Sequence, residues 1–413
     1  MPSHSAAETI EAHDCRVVLR RVDGPEAREL FCLCEPSVGG VGSTGAGQQA
    51  EAAYRAILAV LEAEGADFDS VVCETLFLRS LRGDLESVRT ARSRVLGTGS
   101  GTAAPPVTSE IEQPPLDDRA RLAVSLQVVL PKGRPMSVET LDAPSACGCS
   151  ECARPHGLRI ALGDEIRVHA GGLCGPGEDA YEQAYGMFGV AEGLLQRAGM
   201  DFRDVVRTWI HLRDIDRDYD ALNRARRAFF RERGIDPVPA STGIGGGPAS
   251  AEHDLCLGLY AVQGSPSPAR IPMTAPTLNE APVYGADFAR GMRSVETNKV
   301  ALHVSGTASI DEAGRTAHPG DFEAQADRML VNMAALLENQ GARFEDVVSA
   351  VTYLKRASDG MRLREKLHEA GYEGFPNMLV CVPICRPDLL CETEALAVLP
   401  RGEVTRSDGS RSC

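Results

Sequence analysis

One segment of this sequence occurs three times in the same order, and this repetition constrains the fold more than any other feature. In the first copy it reads Gly-Ala-Asp-Phe-Asp-Ser-Val-Val, and related segments begin at Gly199 and Gly341. The shared phenylalanines are Phe68, Phe202 and Phe344, which stand 134 and then 142 residues apart. A period of that size is the length of a domain rather than of a solenoid unit, so the sequence predicts three tandem domains.

Each copy shows the same succession of helix and strand patterns. A helical pattern with apolar residues at spacings of three and four ends near a glycine, and a β-rich run such as 205–212 follows. A second helix comes next, predicted at 219–230 in copy two and at 361–370 in copy three. Copies two and three also open with strands, at 165–171 and 301–306. This order predicts an α+β domain in which two helices pack on one face of a sheet.

Charge and hydropathy narrow the classes of function. The net charge of −15 argues against nucleic acid as the partner, because proteins that bind polyanions usually present a basic face. No stretch approaches the roughly 18 apolar residues of a membrane helix, and residues 1–14 lack the apolar middle of a secretion signal. We therefore expect a cytoplasmic monomer or low-order homo-oligomer whose partner is a small anionic metabolite, with no nucleic acid and no membrane.

The order of elements and the recurring Phe-x-Asp/Ser-Val-Val signal resemble the Rid (reactive-intermediate deaminase) superfamily, from about residue 17 to residue 400. The resemblance implies three Rid-like, chorismate-mutase-like domains of mixed sheet, at 15–131, 156–263 and 280–400. Members of the superfamily assemble as trimers, with the sheets around a central barrel and the pockets between neighbours. Three fused copies are therefore expected to form an intramolecular pseudo-trimer barrel.

The superfamily's site residues are only partly present. Rid deaminases carry an arginine after the proline that precedes the closing strands, where it binds the substrate carboxylate. The corresponding positions hold other residues, namely Thr108, Ser241 and Met378. The family's carboxyl group on the closing strand is matched by Glu392 in copy three, whereas Ala123 and Cys256 stand there in copies one and two. Domains 1 and 2 are therefore expected to be degenerate, and domain 3 is the expected active copy.

Two further motifs of copy three are Ser-Gly-Thr-Ala-Ser-Ile and Cys-Arg-Pro-Asp-Leu-Leu-Cys-Glu, which begin at Ser305 and Cys385. Together they resemble the chorismatases, a Rid-related branch that removes the enolpyruvyl side chain of chorismate. Those enzymes contain two Rid-like halves, which correspond to copies two and three, so the role of copy one stays open. The resemblance implies a chorismatase-like hydrolase or lyase that requires no cofactor.

Cleavage of an enol ether needs a proton at the enolpyruvyl methylene, and a semi-buried glutamate with a raised pKa supplies one. Glu392 is the predicted general acid, and Glu394, on the same face of the strand, is the alternative if the register differs. The resemblance implies that Cys385 contacts the ring and steers the outcome between hydrolysis and aromatising elimination. Arg386 is predicted to bind a substrate carboxylate. Candidates for the second carboxylate are Arg290, Arg207 and Arg226. The other predicted substrate-binding residues are Thr307, Ser309, Tyr353 and Ser241.

Other interpretations stay open at this point. A Rid-type hydrolase of enamines or imines would use Arg386 in place of the missing arginine, and a non-catalytic metabolite-binding protein would need no acid. Glu392 also fits a structural ion pair with a barrel arginine, and Cys385 fits a packed thiol. Retention of an acid in one copy favours a single active pocket, but it identifies neither the substrate nor the product.

A cysteine-rich segment connects copies one and two. It contains Cys147, Cys149 and Cys152, with His156 four residues further on. Thiol and imidazole groups are zinc ligands, but this spacing is not a standard one. We therefore predict no metal and treat the segment as a connector, with zinc as the alternative.

Overall fold

Three six-stranded mixed sheets make up the computed structural model of the chain. The structure describes residues 6–37, 44–97, 104–133, 135–144, 149, 151–152, 156–264, 269–279, 287–372 and 374–401. Each sheet takes its strands from one of the three sequence copies, and each copy also supplies two α-helices. The three tandem α+β domains predicted from the repeat are thereby confirmed.

The elements follow the same order in every domain. Domain 1 contains β1 Glu8–Ala12, β2 Cys15–Asp23, β3 Ala27–Pro36, α1 Ala46–Ala63, β4 Val71–Leu78, α2 Leu81–Leu96, β5 Val107–Glu112 and β6 Leu122–Pro131. Domain 2 contains β7 Met136–Leu141, β8 Gly157–Leu162, β9 Glu165–Leu173, α3 Ala180–Arg197, β10 Val205–Leu212, α4 Ile215–Arg233, β11 Ala240–Gly245 and β12 Leu255–Gln263. Domain 3 contains β13 Arg270–Pro272, β14 Gly291–Val295, β15 Val300–Ala308, α5 Phe322–Glu338, β16 Val347–Leu354, α6 Gly360–Glu369, β17 Asn377–Cys381 and β18 Cys391–Leu399.

The closing strand of each domain lies inside its sheet. In domain 3 the strand order is β13-β14-β15-β18-β16-β17, and the other two sheets have the equivalent order. The closing strand β18 pairs antiparallel with both neighbours, whereas β16 and β17 are parallel because helix α6 connects them. This central position buries both faces of β18, including the segment that carries Glu392 and Glu394.

The helices begin and end where the sequence supplies caps. Asp179 accepts a hydrogen bond from the backbone N–H of Glu182 at 2.9 Å, and Asp321 caps α5 in the same way. Helix α4 ends at Gly234, which adopts the left-handed conformation that glycine tolerates best. In each domain the two helices contact each other and pack against the sheet, which gives each domain its own apolar core.

Each sheet includes one strand that lies before the domain boundary expected from the sequence. These strands are β1, β7 and β13, which pair with β2, β8 and β14. We propose that the domains begin at these strands, near residues 8, 136 and 270, because each strand covers an edge that would otherwise be exposed.

All three pairs of domains are in contact. Isolated β-bridges join Ile111 to Pro248, Pro115 to Val380 and Ala240 to Ala289. The three sheets also line a common central cavity. At this centre, Glu29 of domain 1 accepts hydrogen bonds from Arg167 of domain 2 at 2.8 Å and from Lys299 of domain 3 at 2.6 Å. All three side chains are buried, and the two cations hold the pKa of Glu29 well below its ordinary value against the opposing effect of burial.

None of the helices in the described part of the chain is both long and apolar enough to cross a membrane.

Candidate active site

A cleft between domains 2 and 3 collects most of the residues singled out from the sequence. Domain 2 contributes α4 and β11 to one wall, and domain 3 contributes β15, β18 and the loop before β18 to the other. Six of the predicted site residues line it, namely Glu392, Cys385, Arg386, Ser241, Arg290 and Arg226. Residues from two sequence copies therefore meet at one site.

Strand register identifies the positions equivalent to Glu392 in the other domains. Glu392 stands opposite Tyr353, the next-to-last residue of β16. Cys256 stands opposite His211 and Ala123 opposite Phe77, which are the next-to-last residues of β10 and β4. The alignment of these three positions made from the sequence is thus confirmed, and Glu392 is the member of the set that carries a carboxyl group.

An irregularity in the sheet brings the backbone close to Glu392. The pairing of β15 with β18 shifts between Val304 and Thr307, and Gly306 lies within this shift. A Cβ atom at Gly306 would overlap Oε1 of Glu392, so the close approach requires glycine. Domain 2 has a comparable shift between β9 and β12, whereas β3 and β6 of domain 1 pair without interruption from Ala27 to Cys34.

Burial makes Glu392 a weak acid. Its side chain is 4% exposed, and loss of hydration, assisted by the neighbouring Glu394, raises its pKa to about 8. Arg207, Arg290 and Arg386 oppose that rise because they favour the carboxylate. The burial effect is the larger, so Glu392 retains its proton at neutral pH and can donate it.

Cys385 lies beside this acid, with its Sγ 3.9 Å from Oε2 of Glu392. Burial and the adjacent Glu392 raise the pKa of the thiol to about 12. The thiol therefore stays protonated at neutral pH, and Cys385 forms a neutral, polarisable part of the wall rather than a thiolate nucleophile.

Five arginines line the cleft, namely Arg224, Arg226, Arg227, Arg290 and Arg386. Of these, Arg226, Arg290 and Arg386 come from separate segments, and each is held by the protein. Arg226 donates to Asn223 Oδ1 at 2.7 Å and to Ser241 Oγ at 3.3 Å. Arg290 donates to the carbonyl of Asn279 at 2.8 Å, and Arg386 donates to the carbonyl of Gly314 at 2.9 Å. Fixed guanidinium groups of this kind bind carboxylates with little loss of conformational entropy.

Phe288 completes the arginine-rich part of the cleft. Its ring centroid is 5.4 Å from the guanidinium carbon of Arg226 and 5.8 Å from that of Arg290. An apolar ring between two cations provides a surface for a flat, anionic ligand. The sequence analysis did not single out Phe288, because the chain position of a lone phenylalanine gives no signal of such a contact.

Glu394 and Arg207 lie on the side of the central cavity. Arg207 donates to Oε2 of Glu394 at 2.8 Å, and the indole N–H of Trp209 donates to Oε1 at 2.9 Å. Both residues line the common cavity of the three sheets rather than the cleft. The carboxylate of Glu394 is thus engaged in an ion pair, which disfavours it as the proton donor.

Three predicted substrate-binding residues lie outside the lining of the cleft. The hydroxyl of Thr307 donates to the carbonyl of Ser305 at 2.9 Å, and that of Ser309 donates to the carbonyl of Ala317 at 2.8 Å. Tyr353 is 1% exposed within the core of domain 3. Thr242 lines the cleft instead, where its Oγ1 accepts the backbone N–H of Gly306 at 2.9 Å.

Comparison with known proteins identifies the family. The family model described as Endoribonuclease L-PSP matches residues 282–399, which include all of β14–β18 and Glu392. A RutC family protein of Pyrococcus abyssi is 35% identical over 98 residues, which cover 23% of this chain and 76% of that protein. The chain belongs to the Rid (RutC) family. Its three tandem Rid-like domains place this cleft between two copies of the family fold.

This Rid protein is also similar to members of the chorismatase branch. A 3-hydroxybenzoate synthase of Streptomyces hygroscopicus is 27% identical over 231 residues, covering 50% of this chain and 66% of that protein. This alignment is longer than one Rid domain. A chorismatase crystal structure superposes with a TM-score of 0.58 and 20% identity over 80% of this chain and 93% of that one, which shows a shared fold.

Proposed function

We propose that this Rid protein is a chorismatase-like enzyme, which removes the enolpyruvyl group of chorismate or of a related small anionic compound. The observation that carries the proposal is a buried glutamic acid, Glu392, with a pKa of about 8 in an arginine-lined cleft. A carboxyl group that keeps its proton at neutral pH suits the first step of enol-ether cleavage. The sequence similarity to a 3-hydroxybenzoate synthase supports the same class of reaction.

In the proposed reaction Glu392 transfers its proton to the terminal methylene of the enolpyruvyl ether, which becomes a methyl group. Positive charge then develops on the ether carbon, where the ether oxygen and the new carboxylate of Glu392 stabilise it. Water adds to this carbon, its proton returns to Glu392, and cleavage of the bond to the ether oxygen releases pyruvate and a ring alcohol. Burial keeps Glu392 protonated before the reaction, because a buried carboxylate is less stable than the neutral acid. Once the proton is transferred, the cation that forms on the substrate stabilises the carboxylate.

Substrate carboxylates are assigned to three of the five cleft arginines. Chorismate carries two carboxylates, and Arg226, Arg290 and Arg386 approach the cleft from three different segments. Phe288 offers its ring face to the substrate ring between two of these cations. Cys385, a neutral thiol next to Glu392, is placed to contact the ring and to bias the outcome between hydrolysis and aromatising elimination.

A Rid-type hydrolase of enamines or imines is the second candidate, and Arg226 is the observation that favours it. Its guanidinium donates to Ser241 Oγ, and Ser241 stands where the family's substrate-binding arginine is expected. Helix α4 therefore brings a positive charge to the position where other Rid proteins carry an arginine on the strand. A small imino acid would then bind through Arg226, in place of the Arg386 expected from the sequence.

The test is to incubate the purified full-length protein with chorismate and to follow pyruvate and the ring product by chromatography. We expect release by the natural protein and loss of release in Glu392→Gln. Glu110→Gln is the matched control, because Glu110 lies in the equivalent cleft between domains 1 and 2, where its carboxylate forms an ion pair with Arg89.

The possible results separate the candidates. Equal release by the natural protein and Glu392→Gln would contradict the acid role of Glu392. No release by the natural protein would contradict chorismate as the substrate, and hydrolysis of a 2-imino acid would then support the second candidate. Saturable binding of chorismate in calorimetry without turnover would instead indicate a metabolite-binding protein.

A further inference from the structure

Two short segments of domain 2 bring soft metal-ligand side chains together beside the cleft between domains 1 and 2. Cys149 and Cys152 come from the connector between β7 and β8, and His253 comes from the turn before β12. The ligand atoms of these three residues all lie within 4.8 Å of one another, and all three side chains are buried. Cys256, three residues after His253, packs in the same cluster of buried cysteines.

We propose that Cys149, Cys152, His253 and Cys256 form a Zn²⁺ site. Two thiolates bound tetrahedrally to zinc at 2.3 Å stand ~3.8 Å apart. Separations within 4.8 Å therefore close around an ion by small side-chain movements. Thiolate and imidazole donors favour zinc over Mg²⁺ or Ca²⁺, and four buried protein ligands are typical of a structural site.

The four ligands belong to two short motifs, and the second motif lies about a hundred residues after the first. Cys149 and Cys152 form Cys-x-x-Cys, and His253 and Cys256 form His-x-x-Cys. The histidine that follows the cysteines in sequence is differently engaged, because the ring nitrogens of His156 lie 2.9 Å from the carbonyl oxygen of Gly171 and 3.0 Å from that of Glu151. Cys147 lies outside the described residues.

Hydrogen bonds already hold the two motifs in place. The backbone N–H of Cys152 donates to Sγ of Cys149 at 3.3 Å, an arrangement that stabilises a thiolate. The hydroxyl of Ser250 lies 2.7 Å from Nδ1 of His253 and 3.6 Å from Sγ of Cys149, so it links the two motifs as an outer partner of the ligands. Arg213 donates to the carbonyls of Ser250 at 2.8 Å and His253 at 3.1 Å, which fixes the turn.

The location of the site gives it a structural role. Cys256 occupies the position equivalent to Glu392, as their strand partners His211 and Tyr353 show. Zinc at this position would fasten the connector between β7 and β8 to the start of β12. The inference is independent of the proposed function, since it concerns a different cleft and requires no catalysis.

The first measurement is the zinc content of the full-length protein, purified under reducing conditions without a histidine tag, by plasma mass spectrometry. We expect about one zinc per chain. Substitution by Co²⁺ is expected to give the intense visible bands of tetrahedral cobalt together with thiolate-to-metal charge transfer. Three results would overturn the proposal: only trace zinc after exposure to Zn²⁺, an octahedral cobalt spectrum, or a Cys149–Cys152 disulfide under these conditions.

Variants then test the ligand set. Cys149→Ser and Cys256→Ser are expected to lose zinc, whereas Cys174→Ser, in the same cysteine cluster, is expected to retain it. Loss in Cys174→Ser with retention in Cys256→Ser would overturn the assignment of the fourth ligand.

If the serine variants do not fold, cysteine alkylation of the natural protein tests whether these thiols bind zinc. We expect a chelator to expose Cys149, Cys152 and Cys256 to iodoacetamide while Cys391, in the closing strand of domain 3, stays protected. Equal alkylation of Cys149 with and without chelator would contradict the site.

Discussion

The cleft between domains 1 and 2 is built from the same elements as the cleft between domains 2 and 3, yet its side chains have different partners. Arg92 on α2 and Arg226 on α4 each stand fourteen residues after the end of the preceding strand. Arg226 donates to Ser241 and Asn223 at the wall of its cleft, and Arg92 forms an ion pair with the buried Glu74 at 2.8 Å. At the inner end, one cleft has Glu392 and the other has Cys256.

The difference shows how one of these two clefts can keep a chemical role that the other lacks. A buried carboxyl group without a full partner destabilises the fold, so a copy that does not use it gains by exchanging it. In the cleft between domains 1 and 2, Arg92 is neutralised by Glu74 of its own domain. Cys256 stands where the other cleft has Glu392, and its thiol is a ligand in the proposed zinc site. In the cleft between domains 2 and 3, Glu392 and Arg226 both line the wall, as the proposed chemistry requires.

The largest expected effect on activity comes from giving both clefts the same residue at their inner end. Glu392→Cys copies the residue of the other cleft and removes the proton donor. We expect the rate of pyruvate release from chorismate to fall by about 10²–10⁴-fold, the usual contribution of a general acid. Activity close to that of the natural protein would break the comparison, because it would show that the acid is dispensable.

The close approach at Gly306 gives the second prediction. Gly306→Ala places a Cβ against Oε1 of Glu392 and displaces the acid, so we expect about a 10²-fold loss in kcat. Gly189→Ala is the control, because no atom lies within 4 Å of a Cβ at Gly189. A similar kcat for both variants would show that the position of Glu392 is not critical.

The raised pKa of Glu392 predicts a pH dependence that the other cleft cannot produce. The acid form is the active one, and its folded pKa is about 8, so kcat/KM is expected to be level near pH 7 and to fall about tenfold per pH unit well above 8. The same shift lowers stability as pH rises from about 4.5 toward 8, because the folded state holds the proton more tightly than the unfolded state. Thermal unfolding at pH 8 should therefore show a higher Tm for Glu392→Gln, and a lower Tm would contradict the shift.

The smallest expected effects separate the two arginines. Arg226→Gln removes a charge that faces the substrate, so we expect KM for chorismate to rise roughly tenfold or more with the fold intact. Arg92→Gln leaves Glu74 buried without its ion pair, so we expect about 1–3 kcal/mol of lost stability in urea unfolding with KM unchanged. The reverse pattern would show that the ligand binds in the cleft between domains 1 and 2.

The order of elements and the position of the acid were predictable from the sequence because both depend on local patterns. The amphipathic runs at 219–230 and 361–370 lie within α4 and α6, apart from Ala370, which is the C-cap residue of α6. Strand alternation put Glu392 and Glu394 on the same face of the strand, but it did not show that Arg207 and Trp209 of domain 2 bind Glu394. That distinction depends on residues of another domain.

The sequence by itself determined that the chain has three α+β domains of one family and that one copy retains an acid. Hydrophobic periodicity, turn residues and motif order are local properties, so they can be read without knowledge of the tertiary structure. The tertiary structure alone decided which distant residues meet. Domain packing places Arg226 and Thr242 in the same cleft as Glu392 and joins Glu29 to Lys299, and folding of domain 2 brings His253 to Cys149. Burial does the rest, because a carboxyl group changes its pKa only when the assembled domains remove it from water.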